Sequence, residues 1–300
     1  MNEIIKLVNS CQAFKRAAID ILGIEQSIYS SEEFHGQYEI AILTANIDEF
    51  NAVQSVVNNV KRAFFNRNDS TLYYIGEIET RGGKKCKVIM PLPYAMGIEA
   101  SSALTTKVIS TFRPRYIFMA GSCAGNKNVT KIGDIIVAEK SLNYHGIVAI
   151  ERRDTTIDKK FMHNVSSING NLKNRLELFS KSKSLKAIKD AFPLQDKIET
   201  TLNCHIGLLV TGSTLIRSNK IIDEINSTYL GVKGLDMETY GLYYASTVVF
   251  NDYAPNFVSI KSVSDFGDDS FHTLSAKERK EYALFTSSNA LKAFIKGYLD

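Results

Sequence analysis

From Tyr38 onward, short apolar runs alternate with segments whose apolar residues recur every three or four positions. YEIAILTA (38–45) is short, apolar and β-leaning and predicts a strand. In the following NIDEFNAVQSVVNNVKRAFF, residues Phe50, Val53, Val57, Val60 and Phe64 fall at helical spacing. LYYIGEI and KCKVIMPL read as strands around the turn RGGKK, and IEASSALTTKVISTF as a helix rich in small residues. Further strands are predicted at 115–120, 134–142, 204–211, 232–237 and 256–264. Helices fall in SNKIIDEINSTY, in TYGLYYASTVVF and over the last thirty residues. This order predicts an α/β fold: a single domain with a central mixed β-sheet flanked by helices.

The chain divides in two on the same pattern. Residues 3–24 have helical spacing and SIYSSEEFHGQ is polar, so 1–37 reads as an N-terminal helical extension and linker before a main domain at 38–300. Within that domain, 151–203 reads as a basic insertion. Its 151–190 portion carries ten Lys/Arg against five Asp/Glu. Either it is a helix with a solvated basic face, or it is a rim that attracts anions. It lacks the interleaved aromatics of a nucleic-acid platform, so no nucleic-acid partner is expected.

Composition narrows the setting without naming a chemistry. With 300 residues and 44% apolar content the chain can fill a sizeable core, and a formal charge of +4 is mild. Four cysteines, widely spaced and without a C-x-x-C pair, suit reduced thiols better than zinc or disulfides. Lys6, Lys15, Arg16 and Asp20 interrupt the N-terminal apolar residues, unlike a signal peptide. No run approaches membrane-spanning length. A cytoplasmic protein with no membrane partner is the expectation.

In open α/β sheets ligands gather at the carboxyl ends of strands, and four such ends carry unusual residues. TANIDEF (44–50) places Asp48 and Glu49 at a helix start, where carboxylates also sit merely to satisfy free amides and the dipole. FMAGSCAGNKNVTKIGDIIVAE (118–139) predicts that strand 115–120 breaks at Gly121 and Ser122 into a loop whose glycines let amides approach a ligand. This is neither a nucleophile elbow nor a phosphate-binding loop, which disfavours Ser122 as a hydrolase nucleophile. Cys123 is disfavoured further, for no histidine stands near it in sequence. LDMETYG carries Asp236 and Glu238, and KSVSDFGDD (261–269) carries Ser264 and Asp265. An aspartate after a strand is commonly a turn or cap. Four such ends together point to a site, and burying Glu238 is costly unless something binds it.

These four blocks, in this order across 38–300, resemble the nucleoside phosphorylase superfamily. Within it they are similar to the hydrolytic branch, the 5′-methylthioadenosine/S-adenosylhomocysteine nucleosidases. The resemblance implies that Glu238 binds the ribose hydroxyls, a diol being an apt donor pair for a carboxylate, with Met237 against the sugar. It implies that Asp265 protonates N7 of the leaving purine, oriented by Ser264, and that Glu49 activates water. Gly121, Ser122, Leu215 and Ile216 fall at substrate-binding positions. Asp265 can act as the acid only if it is protonated near neutral pH.

Met119 stands where the hexameric phosphorylases carry a phosphate-holding arginine, and Glu49 would repel phosphate, so hydrolysis is expected over phosphorolysis. The substrate implied is a small-molecule purine nucleoside or nucleotide, adenine in the first instance, with no cofactor and no metal. A homo-oligomer is implied too, with helix 97–111 contributing to the subunit contact. Asn46 in place of a methionine, Leu215 in place of a stacking phenylalanine, Arg217 and the basic segment leave the 5′ group open to thioether, hydroxyl or phosphate. An adenine-nucleotide-degrading effector fits the same blocks. A phosphate-dependent phosphorylase and an inactive nucleotide sensor are the alternatives.

Overall fold

Ile40, Ala41, Ile42 and Leu43 are each at most 1% exposed, as expected of a strand buried on both faces. They form β1 (Ile40–Leu43). The computed structural model describes residues 32–65, 69–151, 157–161, 165–198, 200–249, 253–268 and 274–299; the helix expected over 3–24 lies outside them. After β1 come α1 (Ile47–Val56), β2 (Asn58–Ala63), β3 (Tyr73–Glu79), β4 (Lys85–Pro91), α2 (Ile98–Phe112), β5 (Tyr116–Gly125) and β6 (Ile135–Asn143). A hairpin, β7 (Ile147–Glu151) and β8 (Ile157–Phe161), precedes β9 (Val165–Ser167), α3 (Gly170–Ser180) and α4 (Ser184–Asp190). The chain closes with β10 (Cys204–Thr211), α5 (Asn219–Thr228), β11 (Val232–Asp236), α6 (Thr239–Val248), β12 (Asn256–Asp265) and α7 (Ala276–Tyr298).

The main sheet runs β11-β10-β6-β12-β5-β1-β4-β3-β2, with β9 beside β6. It is mixed: β5 pairs in parallel with β1 and β12, whereas β12 meets β6 antiparallel. A further antiparallel pairing, Gly234 with Gly125 and Leu235 with Ala124, joins β11 to β5. Strands β5, β12, β6, β10 and β11 therefore form a closed ring. Helices α1, α3 and α4 pack with α7, and α2 packs with α6. The α2–α6 approach is close. A Cβ on Gly241 would lie 2.1 Å from Ser101 Oγ and 2.4 Å from the Ile98 carbonyl oxygen.

Two expectations are corrected. The helix after β1 ends at Val56, not near Phe64. Asn59 takes a left-handed conformation (φ 55°), which asparagine tolerates better than most residues, and Asn58–Ala63 pairs with β3 instead. The β-branched Val60 suits that strand, and Phe64 is 77% exposed. The second correction concerns β5, which does not break after Ala120 but continues through Gly125. Its small residues let it run past β1, last paired at Met119, and take β11 as a neighbour at Ala124 and Gly125 while still paired with β12.

The described part of the basic insertion lies against α7. Arg175 donates to the Tyr298 carbonyl and Lys173 to Glu139. No helix among the described residues is long and apolar enough to cross a membrane.

Candidate active site

The sheet's carboxyl ends converge on an open cleft of about 710 Å³, walled by Met96, Tyr144, Leu215, Ile216 and Met237 with Glu49, Glu238 and Asp265. Each acid arrives by a different local device.

Asn46 begins α1. Its Oδ1 accepts the amides of Asp48 and Glu49, both at 3.1 Å. That cap relieves Glu49 of the capping role its position suggested. The Glu49 carboxylate instead turns to the strand ends. Oε2 accepts the Ala45 amide at 2.7 Å, and Oε1 accepts the Ser122 amide at 2.9 Å and the Ser122 hydroxyl at 3.3 Å. Gly121 makes this possible, because a Cβ there would sit 2.3 to 2.4 Å from the carboxylate. Gly121 thus belongs behind Glu49 rather than on the cleft wall, and both donors of Ser122 face Glu49.

Glu238 stands at the junction of β11 and α6. Its Oε1 accepts the Gly97 amide at 3.0 Å, and the Ser101 hydroxyl donates to its backbone carbonyl at 2.8 Å. Asp265 ends β12. Its Oδ2 accepts the Ser264 hydroxyl at 2.8 Å and its Oδ1 the Gly267 amide at 2.9 Å. Met237 and Ile216 line the cleft, and Leu215 does so from a rim position where it is 71% exposed.

Beneath the cleft lies a residue the sequence reading passed over. Lys261, on β12, is fully enclosed. Its Nζ is 3.5 Å from Glu238 Oε2, 3.8 Å from Asp236 Oδ2 and 3.9 Å from Glu49 Oε1. Burial alone lowers an ammonium's pKa, but Glu49, Glu238 and Asp236 outweigh it and raise Lys261 above its ordinary value. The legible signal is a lone lysine inside SIKSVS, a run otherwise small or apolar.

Asp236 is bound from all sides. Thr211 donates to Oδ1 at 2.7 Å, and the Thr239 amide and hydroxyl donate to Oδ2 at 3.0 and 2.5 Å. Burial pushes its pKa up to about 6, ahead of the opposing pull of Lys261 and with Glu238 adding to the rise. Burial likewise drives the Cys123 thiol well above its usual value, which removes the thiolate a cysteine nucleophile needs.

The cleft is thus lined by Glu49 and Asp265, delivered by separate strand ends, and by a third carboxylate, Glu238, between a backbone amide and a buried ammonium. That is room and chemistry for a nucleophile to be activated at one end and a leaving group protonated at the other. Among the described residues no group of His, Cys, Asp and Glu is arranged to hold a metal ion.

The sequence model of the phosphorylase superfamily matches residues 39–296. The 5′-methylthioadenosine/S-adenosylhomocysteine nucleosidase of Buchnera aphidicola (subsp. Schizaphis graminum) is 27% identical over 260 residues, 86% of this chain and 96% of its own. ATP nucleosidase Cap17 of Escherichia coli is 23% identical over 215 residues, 68% of this chain but 42% of its own. Among solved structures, the Neisseria meningitidis 5′-methylthioadenosine/S-adenosylhomocysteine nucleosidase with methylthio-immucillin-A superimposes with a TM-score of 0.61 at 20% identity. It covers 86% of this chain and 98% of that one.

Proposed function

The chain belongs to the phosphorylase superfamily, and from that premise we propose that it hydrolyses the N-glycosidic bond of a purine nucleoside or nucleotide, adenine first, and releases the free base. The observation that carries this reading is the meeting of Glu49, Glu238 and Asp265, from three separate strand ends, around one cleft. The ribose diol binds Glu238, which has accepting capacity beyond the Gly97 amide. Asp265, with Ser264 beside it, gives its proton to N7 as the C1′–N9 bond breaks and the electron pair passes to the base. Water held by Glu49 adds its oxygen to the cationic C1′ and gives its proton to that carboxylate. Lys261 holds Glu49 and Glu238 at fixed separation and balances part of their charge.

Hydrolysis is favoured over phosphorolysis by two features. Met119 is buried in the core, so it offers phosphate nothing, and the nucleophile side is anionic at Glu49. The catalytic domain in this reading is 38–300, preceded by 1–37. Free thiols at Cys86, Cys123 and Cys204 suit the cytoplasm. Two copies pair through the α2–α6 side, where Tyr94, Met96, Tyr244 and Val248 leave large apolar surfaces exposed.

The test is chromatography of free base after incubation with methylthioadenosine, adenosine, AMP and ATP, with and without phosphate. Adenine without phosphate is expected, and release only with phosphate would replace the hydrolase by a phosphorylase. Asp265→Asn keeps the fold, read by circular dichroism, and loses about 100-fold or more in kcat, the usual weight of a general acid. Near wild-type turnover by that variant would remove Asp265 from the mechanism.

A further inference from the structure

The substituent at C5′ of the ribose is the open term of the proposed reaction, and charge around the cleft bears on it. Among the described residues that line the cleft are four carboxylates, Glu49, Asp236, Glu238 and Asp265, and no lysine, arginine or histidine. A fifth acid stands on the rim. Glu99, in the first turn of α2, is exposed, and both its carboxylate oxygens lie 3.4 Å from Ser213 Oγ. Its Oε2 is also 3.5 Å from where a Cβ on Gly97 would be. Gly97 is the residue whose amide holds Glu238.

Glu99 therefore bridges the two walls of the cleft mouth, Met96–Gly97 on one side and Ser213–Leu215 on the other. With the base at Asp265 and the diol at Glu238, C4′ and its substituent leave between those walls, because C4′ adjoins the C3′ that Glu238 holds. Among the described residues, the basic groups nearest the cleft are already engaged. Lys261 lies beneath it against Glu49, Asp236 and Glu238. His145, on the Ser213–Leu215 wall, accepts the Ser213 amide at Nδ1 and lies 3.4 Å from the Thr214 hydroxyl. Lys173 pairs with Glu139, Lys127 with Asp268, and Lys280 with Asp48. Arg217 is exposed, and neither it nor Glu99 is among the residues that line the cleft.

We propose that Glu99 is a specificity-determining residue that disfavours a 5′-phosphate, so that the preferred substrate carries an uncharged or cationic 5′ group. The proposal rests on the nucleosidase reading and selects within it. A phosphate monoester brings about −1.5 to −2 charges to neutral solution. At the mouth it meets Glu99 instead of a cation, a repulsion worth about tenfold at partly screened distances. Salt weakens such a repulsion between exposed charges.

The experiment compares kcat/KM for methylthioadenosine and AMP, at low and high salt, in the wild type and in Glu99→Gln. The wild type is expected to favour methylthioadenosine by about tenfold or more, with the ratio shrinking at high salt. Glu99→Gln is expected to shrink the low-salt ratio by about fivefold and to lose its salt dependence. AMP used as well as methylthioadenosine, or a ratio unmoved by Glu99→Gln, overturns the proposal. Adenine from neither compound would instead end the hydrolase reading. Competition between the two ligands for binding then still reads Glu99, and tighter binding of AMP counts against its role.

Discussion

Asp236 and Lys261 belong to one buried cluster of charges. Taking either charge out of water is expensive, and Lys261 is compensated by Glu238 and Glu49 as well as by Asp236. Titration of Asp236 contributes one component of the protein's response to acid. Because the Asp236 pKa rises from 3.8 to about 6 on folding, the folded chain keeps a proton there that the unfolded chain has released. The stability this group contributes is complete below about pH 3.8 and is lost as pH rises through about 6. Asp236→Asn should flatten that part of the profile, read as urea midpoints between about pH 4 and 7. An unchanged slope would mean that Asp236 does not titrate there.

At the level of elements, β1 and β5 deliver Glu49 and its amide donors side by side, and Gly121 is the point of closest approach. Gly121→Ala should displace the Glu49 carboxylate while leaving the strand paired. A loss of about 100-fold in kcat is expected, together with a lower unfolding temperature, because Gly121 has a φ of 159° that a side chain strains and its neighbour Glu49 is buried; full activity would show that Glu49 tolerates displacement. Strands were legible in the sequence from their apolar runs, and β10, half-buried over its first five residues, falls on the predicted residues, Cys204–Thr211. The α1 boundary was not, because valines at 53, 57 and 60 satisfy a helical period and a following strand equally well. The run through β5 was misread for a related reason. Glycine and serine after an apolar strand are the residues of a loop, and only the distant partners Gly234 and Leu235 keep them extended. The acids of the cleft were recognisable by motif. Lys261 was not, since its role depends on three carboxylates brought together by the fold from separate segments.

For the whole molecule, the α2–α6 side carries the exposed Tyr94, Met96, Tyr244 and Val248 next to the cleft wall at Met96. Light scattering should return twice the chain mass of 33.5 kDa, and Tyr244→Asp should shift it toward one copy. A monomer at assay and higher concentrations would remove the proposed pairing. The described part of the basic insertion, by contrast, is tied to α7 by Arg175 and stands apart from the cleft lining.

The ring closed by β11 on β5 also bears on how copies can meet. A sheet end with unpaired amides and carbonyls invites strand addition from another chain, a route to runaway aggregation. Closure uses up the β11 end, so among the described residues the main path keeps one strand without a second neighbour, β2. That strand reads NNVKRA, exposes Lys61 and Arg62, and pairs with β3 through a broken register. Charge and irregularity there are the devices that keep an edge from recruiting a neighbour. Self-association is thereby steered away from the backbone edge and toward side chains on helices, where contact can be finite and symmetric.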